Sequence, residues 1–399
     1  MKIVYLSTFL PRDKKDLYSS KMHNYNFNSA DAFSYSVFNG LADNLKSDLE
    51  VINIPPLGAY PRYNSLLYSK CHESIDNGIT IRTIANSNIY IYQYYSIYRN
   101  TFKELMKLDK SKDITLLIYS INVPVVKAAI NYRKKYSPKT KIVLIVPDLL
   151  EDCMEKSFNS TIKMFFIGNM DDIYKEMDGF VFLTEQMNER VKTKKPYCVV
   201  EGIFNSKEKR MIGTNEQKSE KTVFYSGMLY EKFGVKKLID AFRMTSDLSY
   251  RLQLCGCGEL ESYIQKCQKN DNRIEYLGLV PRERVLVLQS KASLLVNPRT
   301  PEGDFTKFSF PSKDIEYLVS GTPTLIYQLP GIPVEYYDYC YSIDSRHLEV
   351  EYLAKKIQTI LNSSEEGEKL AIRAYNFIVN EKNAVFQTKK IINLINTIQ

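Results

Sequence analysis

The sequence predicts an α/β protein built from two doubly wound, mostly parallel sheets, each covered by helices. Three observations support this prediction: apolar β-branched runs alternate with segments of helical spacing, most of these runs are apolar throughout, and the alternation stops once and then restarts. Strands that are apolar throughout are covered on both faces, as in parallel sheets. With 399 residues, the chain is also too long for a single hydrophobic core.

The first half of the chain alternates candidate strands with candidate helices. The strands are residues 2–6, 49–54, 114–119, 141–146, 178–183 and 197–200. The helices are residues 29–46, 123–136, 156–176 and 184–194. Because strands that alternate with helices form parallel sheets, we predict a Rossmann-like domain over residues 1–204.

A polar segment separates this domain from a second one. Residues 204–221 read FNSKEKRMIGTNEQKSEK and have no apolar periodicity, so we predict a linker over residues 205–221. The alternation then restarts with strands at 222–226, 250–255, 274–278, 293–297 and 322–327, with helices between them, and the chain ends in helical pattern from about 347 to 398. We predict a second Rossmann-like domain over residues 222–380, facing the first across a cleft. A C-terminal helix over residues 381–399 is expected to pack back on the first domain.

Composition excludes several classes of protein. No run reaches the roughly 18 apolar residues that span a bilayer, and the seven cysteines are scattered without a zinc or redox spacing. We therefore expect a cytoplasmic protein without a structural metal. The formal net charge is +8, with basic segments at 131–142 and 190–197. These are either solvated helix ends or patches that attract phosphates or anionic lipids on the inner face of the plasma membrane. No nucleic-acid motif accompanies them.

In open parallel sheets, ligands bind beyond the carboxyl ends of the strands, so a site is expected at the strand-to-helix turns of the second domain. The turn CGCGELES, residues 255–262, is similar to a dinucleotide fingerprint, but Glu261 replaces the third glycine. We expect its glycines to allow close packing instead. In SGMLYEKFGV, Gly227 permits a tight turn, and Lys232 either reaches the cleft or is a surface lysine.

The strongest candidate site is the helix start in FSFPSKDIEYLVSGTPTL, residues 308–325. A helix N-terminus offers free N–H groups and a positive dipole end, so it can hold a diphosphate. Pro311 is tolerated in a first turn, and Ser309 or Ser312 could cap the helix. Three cations add charge here: Arg299, Lys307 and Lys313. Glu316 follows one turn further in, where it could accept two adjacent hydroxyls of a ribose. The alternative is a capped helix with solvated charges.

The order of these motifs resembles the GT-B glycosyltransferases, specifically the retaining family 4 type. Residues 222–345 carry most of the resemblance, through YSGMLYEKFGVKKLIDAF, LCGCGELESYI, IEYLGLVPRERVLVLQSKASLLVNPR and the helix segment that ends in EYLVSGTP. In the first domain, VPDLLEDCM, FVFLTEQM and VVEGIF resemble members that build capsule, exopolysaccharide or O-antigen. The resemblance is weakest before residue 140.

The resemblance implies roles for residues of the second domain, which would bind the nucleotide sugar while the first binds the acceptor. Glu316 would bind the ribose, and the backbone N–H groups of Ser312 and Lys313 would hold the diphosphate. The remaining contacts implied are Phe310 and Pro311 beside the donor sugar, the backbone near Leu279 and Val280 at the base, and Gly227 with Lys232 near the phosphates.

Two positions depart from the family pattern. Phe308 stands where relatives carry a glutamate eight residues before Glu316, and Met228 stands where they carry an arginine. A contact with a hydroxyl of the donor sugar and a contact with the phosphates are therefore in doubt, and Arg299 or Lys307 would replace the second. We expect Arg299→Ala to weaken donor binding, as measured by donor titration; an unchanged affinity would remove Arg299 from the site.

The implied reaction breaks a glycosidic bond to a diphosphate, with retention of configuration. Positive groups aimed at the leaving diphosphate would supply most of the catalysis, without a metal or any cofactor besides the donor. Asp171 and Asp172 lie at a helix start, where we expect them to be caps rather than metal ligands. No catalytic base can be assigned; His23 and Asp31 are candidates, with a loop histidine and a helix N-cap as the alternatives.

The sequence therefore predicts transfer of a sugar from a nucleoside-diphosphate sugar to a glycan or polyprenyl-linked acceptor in surface polysaccharide synthesis. Contact with anionic membrane would involve residues 131–141 and 190–195. Two alternatives keep the fold. The first is a nucleotide-sugar epimerase, which needs acid/base groups in the cleft, whereas this chain has only three histidines. The second is a non-catalytic partner subunit, which is suggested by Phe308 and Met228.

Overall fold

The computed structural model describes residues 2–21, 29–61, 63–64, 71–149, 169–205 and 221–398. The chain forms two compact units, Met1–Ile203 with Asn383–Gln399, and Phe204–Lys382. Each unit contains its own sheet, and this confirms the predicted α/β class with two mostly parallel sheets. The predicted linker lies outside the described residues from 206 to 220, as does most of the predicted helix 156–176.

The first unit contains a sheet with the strand order β3-β4-β2-β1-β5-β6-β7-β8. Its pairs are parallel except for the antiparallel pair β3–β4. The strands are β1 Lys2–Ser7, β2 Leu49–Asn53, β3 His72–Asp76, β4 Ile79–Thr83, β5 Ile114–Tyr119, β6 Lys141–Val146, β7 Gly179–Phe182 and β8 Tyr197–Val199. The central strands are buried on both faces, as their continuous apolar runs predicted.

Helices cover this sheet. They are α1 Lys15–Ser19, α2 Ser29–Leu45, α3 Tyr90–Met106, α4 Val123–Tyr136, α5 Met170–Lys175 and α6 Met187–Val191. Neither the β3–β4 hairpin nor α3 was predicted from the sequence. The sequence contains a hairpin signal, the dipeptide Asn77-Gly78. In the structure both residues have a positive φ, 49° and 75°, as a two-residue turn between antiparallel strands requires.

The second unit contains a six-stranded parallel sheet in the order β11-β10-β9-β12-β13-β14. Its strands are β9 Thr222–Ser226, β10 Arg251–Cys255, β11 Ile274–Gly278, β12 Leu294–Asn297, β13 Thr324–Tyr327 and β14 Tyr341–Ile343. Its helices are α7 Val235–Arg243, α8 Glu261–Asn270, α9 Arg282–Lys291, α10 Ser312–Leu318, α11 Val350–Leu361 and α12 Ser364–Glu381. The strand order reverses between β9 and β12, so the crevice at their carboxyl ends is the topological switch point.

The C-terminal helix α13, Ala384–Thr397, belongs to the first unit. It packs on α2 so closely that a Cβ at Gly40 would collide with the carbonyl oxygen of Ala384. The Asn44 amide also donates to the carbonyl oxygen of Val385 at 2.9 Å. Among the described residues, no helix is both long and apolar enough to cross a membrane.

Candidate functional site at the switch point of the second sheet

The turns that follow β9, β10 and β11 are joined at the carboxyl edge of the second sheet. The Gly227 N–H donates to the carbonyl oxygen of Cys255 at 2.8 Å, and the Gly256 N–H donates to that of Gly278 at 2.9 Å. A Cβ at Gly256 would collide with the carbonyl oxygen of Gly227. The structure thus shows the close packing expected of the CGCG glycines, and Glu261 accepts a bond from the Gly258 N–H at 2.9 Å.

Lys313 lies against the first of these turns. A Cβ at Gly227 would collide with Cε and Nζ of Lys313, so the absence of a side chain at Gly227 makes room for the ammonium. Lys313 is the second residue of α10, which follows β12 through a long loop. The switch point therefore brings a cation from the β12 side onto the backbone at the end of β9. Burial is the largest cause that lowers the pKa of Lys313 below 10.5.

The helix α10 begins where the sequence predicted, but its cap differs. Pro311 is the N-cap and makes no side-chain cap bond, so the prediction that Ser309 or Ser312 caps the helix is wrong. Ser309 Oγ instead accepts a bond from Arg299 Nη2 at 2.6 Å and donates to the carbonyl oxygen of Phe305 at 2.7 Å. Ser312 is exposed at the helix start, where first-turn N–H groups have no intrahelical partner.

The two other predicted cations are held within the loop before α10. Arg299 is 8% exposed, its guanidinium carbon lies 4.5 Å from the centre of the Phe305 ring, and burial lowers its pKa to about 10. Lys307 is exposed and lies 3.4 Å from a carboxylate oxygen of Asp304. These contacts stabilise the loop, and contact of either cation with a diphosphate stays a prediction.

A buried carboxyl group beneath this loop was missed by the sequence analysis. Asp314 is fully buried, and its Oδ1 accepts a bond from Asn297 Nδ2 at 2.7 Å. Burial raises the pKa of Asp314 to about 7, against the smaller opposing effects of Asn297, Arg299 and Lys313. A signal existed, because Asp314 shares a helix face with Leu318, four residues on and also buried.

The raised pKa makes stability depend on pH. The ordinary value is 3.8 and the folded value about 7, so the stabilisation by the protonated carboxyl is fully present below about pH 4 and is lost as the pH rises through 7. We expect the thermal midpoint of the wild type to fall from pH 5 to 8, and Asp314→Asn to flatten this dependence. Parallel pH profiles of the two proteins would contradict the prediction.

Glu316 is held by two side chains of α9. Gln289 Nε2 donates to its Oε1 at 2.6 Å, and Arg282 Nη1 lies 3.3 Å from its Oε2. The Glu316 side chain is 21% exposed, so the carboxylate reaches the surface on the same helix as Lys313, three residues away. Neither Gln289 nor Arg282 was predicted, although their separation of seven residues places them on one face of a helix.

The remaining predicted donor contacts lie in different surroundings. Lys232 is exposed, with its amine 5.2 Å from the centre of the Phe233 ring. Leu279 is 72% exposed beyond the end of β11, with Val280 beside it. Phe310 and Pro311 are buried at the start of α10. Of the departures, Met228 is 55% exposed and Phe308 is 6% exposed, so Phe308 is a core residue.

The candidates for catalysis and metal binding lie in the first unit or outside the described residues. His23 lies outside the described residues. Asp31 is buried, and its two oxygens accept bonds from the Leu10 N–H at 2.6 Å and from Arg12 at 3.0 Å; these contacts explain a structural role, and its catalytic role stays a prediction. The cap of α5 is Asn169, which accepts a bond from the Asp171 N–H, so the expectation that the paired aspartates cap is wrong.

The family whose model matches the chain is described as "Glycosyl transferases group 1", over residues 206–377. A search of curated proteins found no match. Among solved structures, the chain is similar to the sucrose-phosphate synthase of Thermosynechococcus elongatus, with 14% identity, 100% of both chains covered and a TM-score of 0.67. It is also similar to HepE of Anabaena in complex with UDP, with 13% identity, 100% of both chains covered and a TM-score of 0.62.

A third similar structure is the apo form of the lipopolysaccharide outer core galactosyltransferase WaaB. It has 14% identity, covers 100% of this chain and 99% of its own, and has a TM-score of 0.61. The matched residues 206–377 lie within the second unit, which contains the switch-point site. That unit therefore carries the sequence signature of the group 1 glycosyl transferases, and the chain as a whole has the two-sheet GT-B fold of solved glycosyltransferases.

Proposed function

We propose that the protein is a glycosyltransferase that moves a sugar from a nucleoside-diphosphate sugar to a glycan or lipid-linked acceptor. The observation that carries the proposal is the arrangement at the switch point: Lys313 lies against the Gly227 backbone, and Glu316 reaches the surface one helical turn further on. A diphosphate beside Lys313 would have its ribose near Glu316. The match to the group 1 family over the same residues supports this assignment.

The chemistry follows from where charge develops. When the bond between sugar and diphosphate breaks, the leaving group gains negative charge, and groups already aimed at it stabilise the transition state most. Lys313 and the N–H groups of Ser312 and Lys313 would hold the leaving diphosphate, with Lys232, Arg299 or Lys307 as further cations. The backbone near Leu279 and Val280 would meet the base. We propose a retaining, metal-independent reaction of the family 4 type.

The direct test is a thermal-shift screen against UDP-, GDP- and dTDP-sugars. A donor at about a hundred times its dissociation constant should stabilise the protein by roughly 2.7 kcal/mol. UDP is the first choice, because the similar HepE structures contain UDP and UDP-glucose. A second assay then follows donor consumption with and without a glycan acceptor. If no nucleotide sugar stabilises the protein, the proposal fails; epimerised donor without an acceptor would assign an epimerase.

A non-catalytic partner subunit is the second candidate, and two residues favour it. Met228 offers no charge at an exposed position beside Gly227, and Phe308 is buried where a polar contact with the donor sugar would be needed. Donor binding without turnover by the isolated protein would support this candidate. Transfer to an acceptor by the isolated protein would exclude it.

The acceptor and its location form the finer part of the proposal. We propose a role in surface polysaccharide synthesis, at an anionic membrane surface, consistent with the similar fold of a lipopolysaccharide galactosyltransferase. The first predicted basic segment, 131–141, is partly neutralised, because Arg133 bonds to Glu176 and Asp178 and Lys134 also bonds to Glu176. In the second, 190–195, the side chains of Lys192, Lys194 and Lys195 are exposed.

A third surface, on α3, suits a membrane better than either segment. Tyr92 and Tyr95 are 40% and 54% exposed, with ring centres 5.8 Å apart. Arg99 and Lys103 are exposed further along, and the spacing of three and four residues places all four on one helix face. Tyrosine rings are enriched at lipid–water interfaces, and cations are attracted to anionic lipids. We call these four residues the α3 stripe.

Charge reversal distinguishes the α3 stripe from the exposed lysines of segment 190–195. We expect the wild type to sediment with anionic vesicles at low salt and not with neutral ones. The double variant Arg99→Glu/Lys103→Glu should bind anionic vesicles at least tenfold more weakly, since each cation near such a surface contributes about 1 kcal/mol. The matched control Lys192→Glu/Lys194→Glu should bind nearly as the wild type does. Absence of vesicle binding by the wild type would reject the membrane contact altogether.

A further inference from the structure

One buried amide in the second unit is bonded to the candidate ribose contact. Gln289 on α9 is fully buried. Its side-chain Nε2 donates to Glu316 Oε1 at 2.6 Å and to Ser226 Oγ at 3.2 Å. The backbone carbonyl oxygen of Gln289 accepts a bond from Thr322 Oγ1 at 2.7 Å. The side chain thus joins the end of β9 to α10, and its backbone is tied to the segment before β13.

Burying the side-chain amide of Gln289 is unfavourable for the free energy of folding. Its Oε1 has no hydrogen-bond partner within the described part of the chain, and an unsatisfied buried polar atom costs about 1–3 kcal/mol. An apolar side chain of similar size would avoid that cost in this position. Nε2 of Gln289 donates to Glu316 and to Ser226. We therefore expect the role of this amide to lie in its effect on these two side chains.

The contact with Glu316 restricts a carboxylate that would otherwise turn. The terminal torsion of a glutamate is broad and weakly restrained, whereas the bond from Gln289 fixes one oxygen from the buried side. Each carboxylate oxygen has about two acceptor positions. Gln289 uses one of the positions on Oε1, and Arg282 lies 3.3 Å from Oε2.

Gln289 is the stronger of the two restraints. Its bond to Glu316 is short and buried on the Gln289 side. Arg282 is 46% exposed and its nitrogen lies 3.3 Å from Oε2, and an exposed ion pair of this kind contributes little. Arg282 is therefore a suitable comparison, because it contacts the same carboxylate as a weaker restraint.

We infer that Gln289 is a positioning residue that orients the Glu316 carboxylate toward the 2′- and 3′-hydroxyls and thereby sets the preference for a ribonucleotide over its 2′-deoxy form. This inference rests on the proposed function, in which Glu316 binds the ribose of the donor. Gln289 itself does not touch the nucleotide, because it is fully buried. Its effect is on the ratio of the two affinities rather than on affinity alone.

The test measures dissociation constants of UDP and 2′-deoxy-UDP by calorimetry, or of GDP and 2′-deoxy-GDP if only guanine nucleotides bind. The wild type should prefer the ribonucleotide, and Gln289→Leu should lower that preference by roughly tenfold, the effect of one hydrogen bond to a charged group. Gln289→Met, which keeps the length and removes the donor, serves if the leucine variant does not fold. Arg282→Ala should lower the preference less than Gln289→Leu does, because its contact with Glu316 is more exposed.

The outcomes separate the inference from the proposed function. If Glu316→Gln abolishes the preference and Gln289→Leu reduces it, both stand. If Glu316→Gln abolishes it but both Gln289 variants weaken the two nucleotides equally, Gln289 is merely structural and the inference is overturned. If Glu316→Gln leaves the preference unchanged, or if no nucleoside diphosphate binds, the proposed function is what fails.

Discussion

Replacing Lys313 by methionine is expected to lower turnover roughly a hundredfold while the protein stays folded, because losing one preorganised group at a developing negative charge has about that effect. The ammonium lies against the Gly227 backbone at the end of β9, where we place the leaving diphosphate. Methionine keeps most of the apolar stem, so packing should change little. Single-turnover donor consumption measures the loss, and thermal unfolding checks the fold.

The pH dependence gives this prediction a second readout. Because burial lowers the pKa of Lys313, its cation is lost at lower pH than that of an exposed lysine. Activity should therefore fall as the pH rises through this lowered pKa, and Lys313→Arg should move the fall to higher pH. Lys269→Met, at an exposed position on α8, is the matched control and should leave turnover unchanged. Normal turnover of Lys313→Met would exclude Lys313 from the site.

Gly256→Ala is expected to reduce the free energy of unfolding of the second unit by about 3 kcal/mol, combining overpacking with backbone strain. Gly256 has a φ of +139°, and an added Cβ would collide with the carbonyl oxygen of Gly227. A backbone atom cannot move aside as the end of a side chain can. The collision should also displace the turn that receives Lys313, so donor affinity should fall together with stability in urea unfolding and donor titration.

Gly278→Ala provides the matched control in the neighbouring turn. Gly278 also has a positive φ, +66°, but a Cβ there would have no atom within 4 Å. The alanine should therefore cost only the backbone term, about 1 kcal/mol. If the two alanine variants lose the same stability, the collision at Gly256 is not the cause and the packed-turn explanation is wrong.

Local patterns predicted the elements that carry the site. Pro311 and Ser312 indicated the start of α10, because a proline without an N–H acts on the backbone within a few residues. The cap prediction failed at Ser309 for a different reason. Its hydroxyl is taken by Arg299, ten residues away, and side-chain contacts of that kind depend on how a loop folds.

Hydrophobic periodicity did not reveal the helix α3. Its exposed tyrosines interrupt the polar face that an amphipathic helix normally shows, and the sequence analysis predicted no element there. The same tyrosines, with Arg99 and Lys103, are what the structure makes visible as one surface. Exposure of large aromatic residues is a property of the folded surface and is not visible in the letters of the sequence.

Local sequence patterns are enough to predict the alternation of strands and helices, the tight glycine turns, and the spacing of three residues between Lys313 and Glu316 on one short helix. The contacts that these side chains make depend on the tertiary fold. Glu316 contacts Gln289, 27 residues earlier, and the Tyr317 hydroxyl accepts a bond from the Ser226 N–H, 91 residues earlier. These contacts exist because β12 lies beside β9, and the order of strands in a sheet is chosen by long-range packing that local periodicity does not encode.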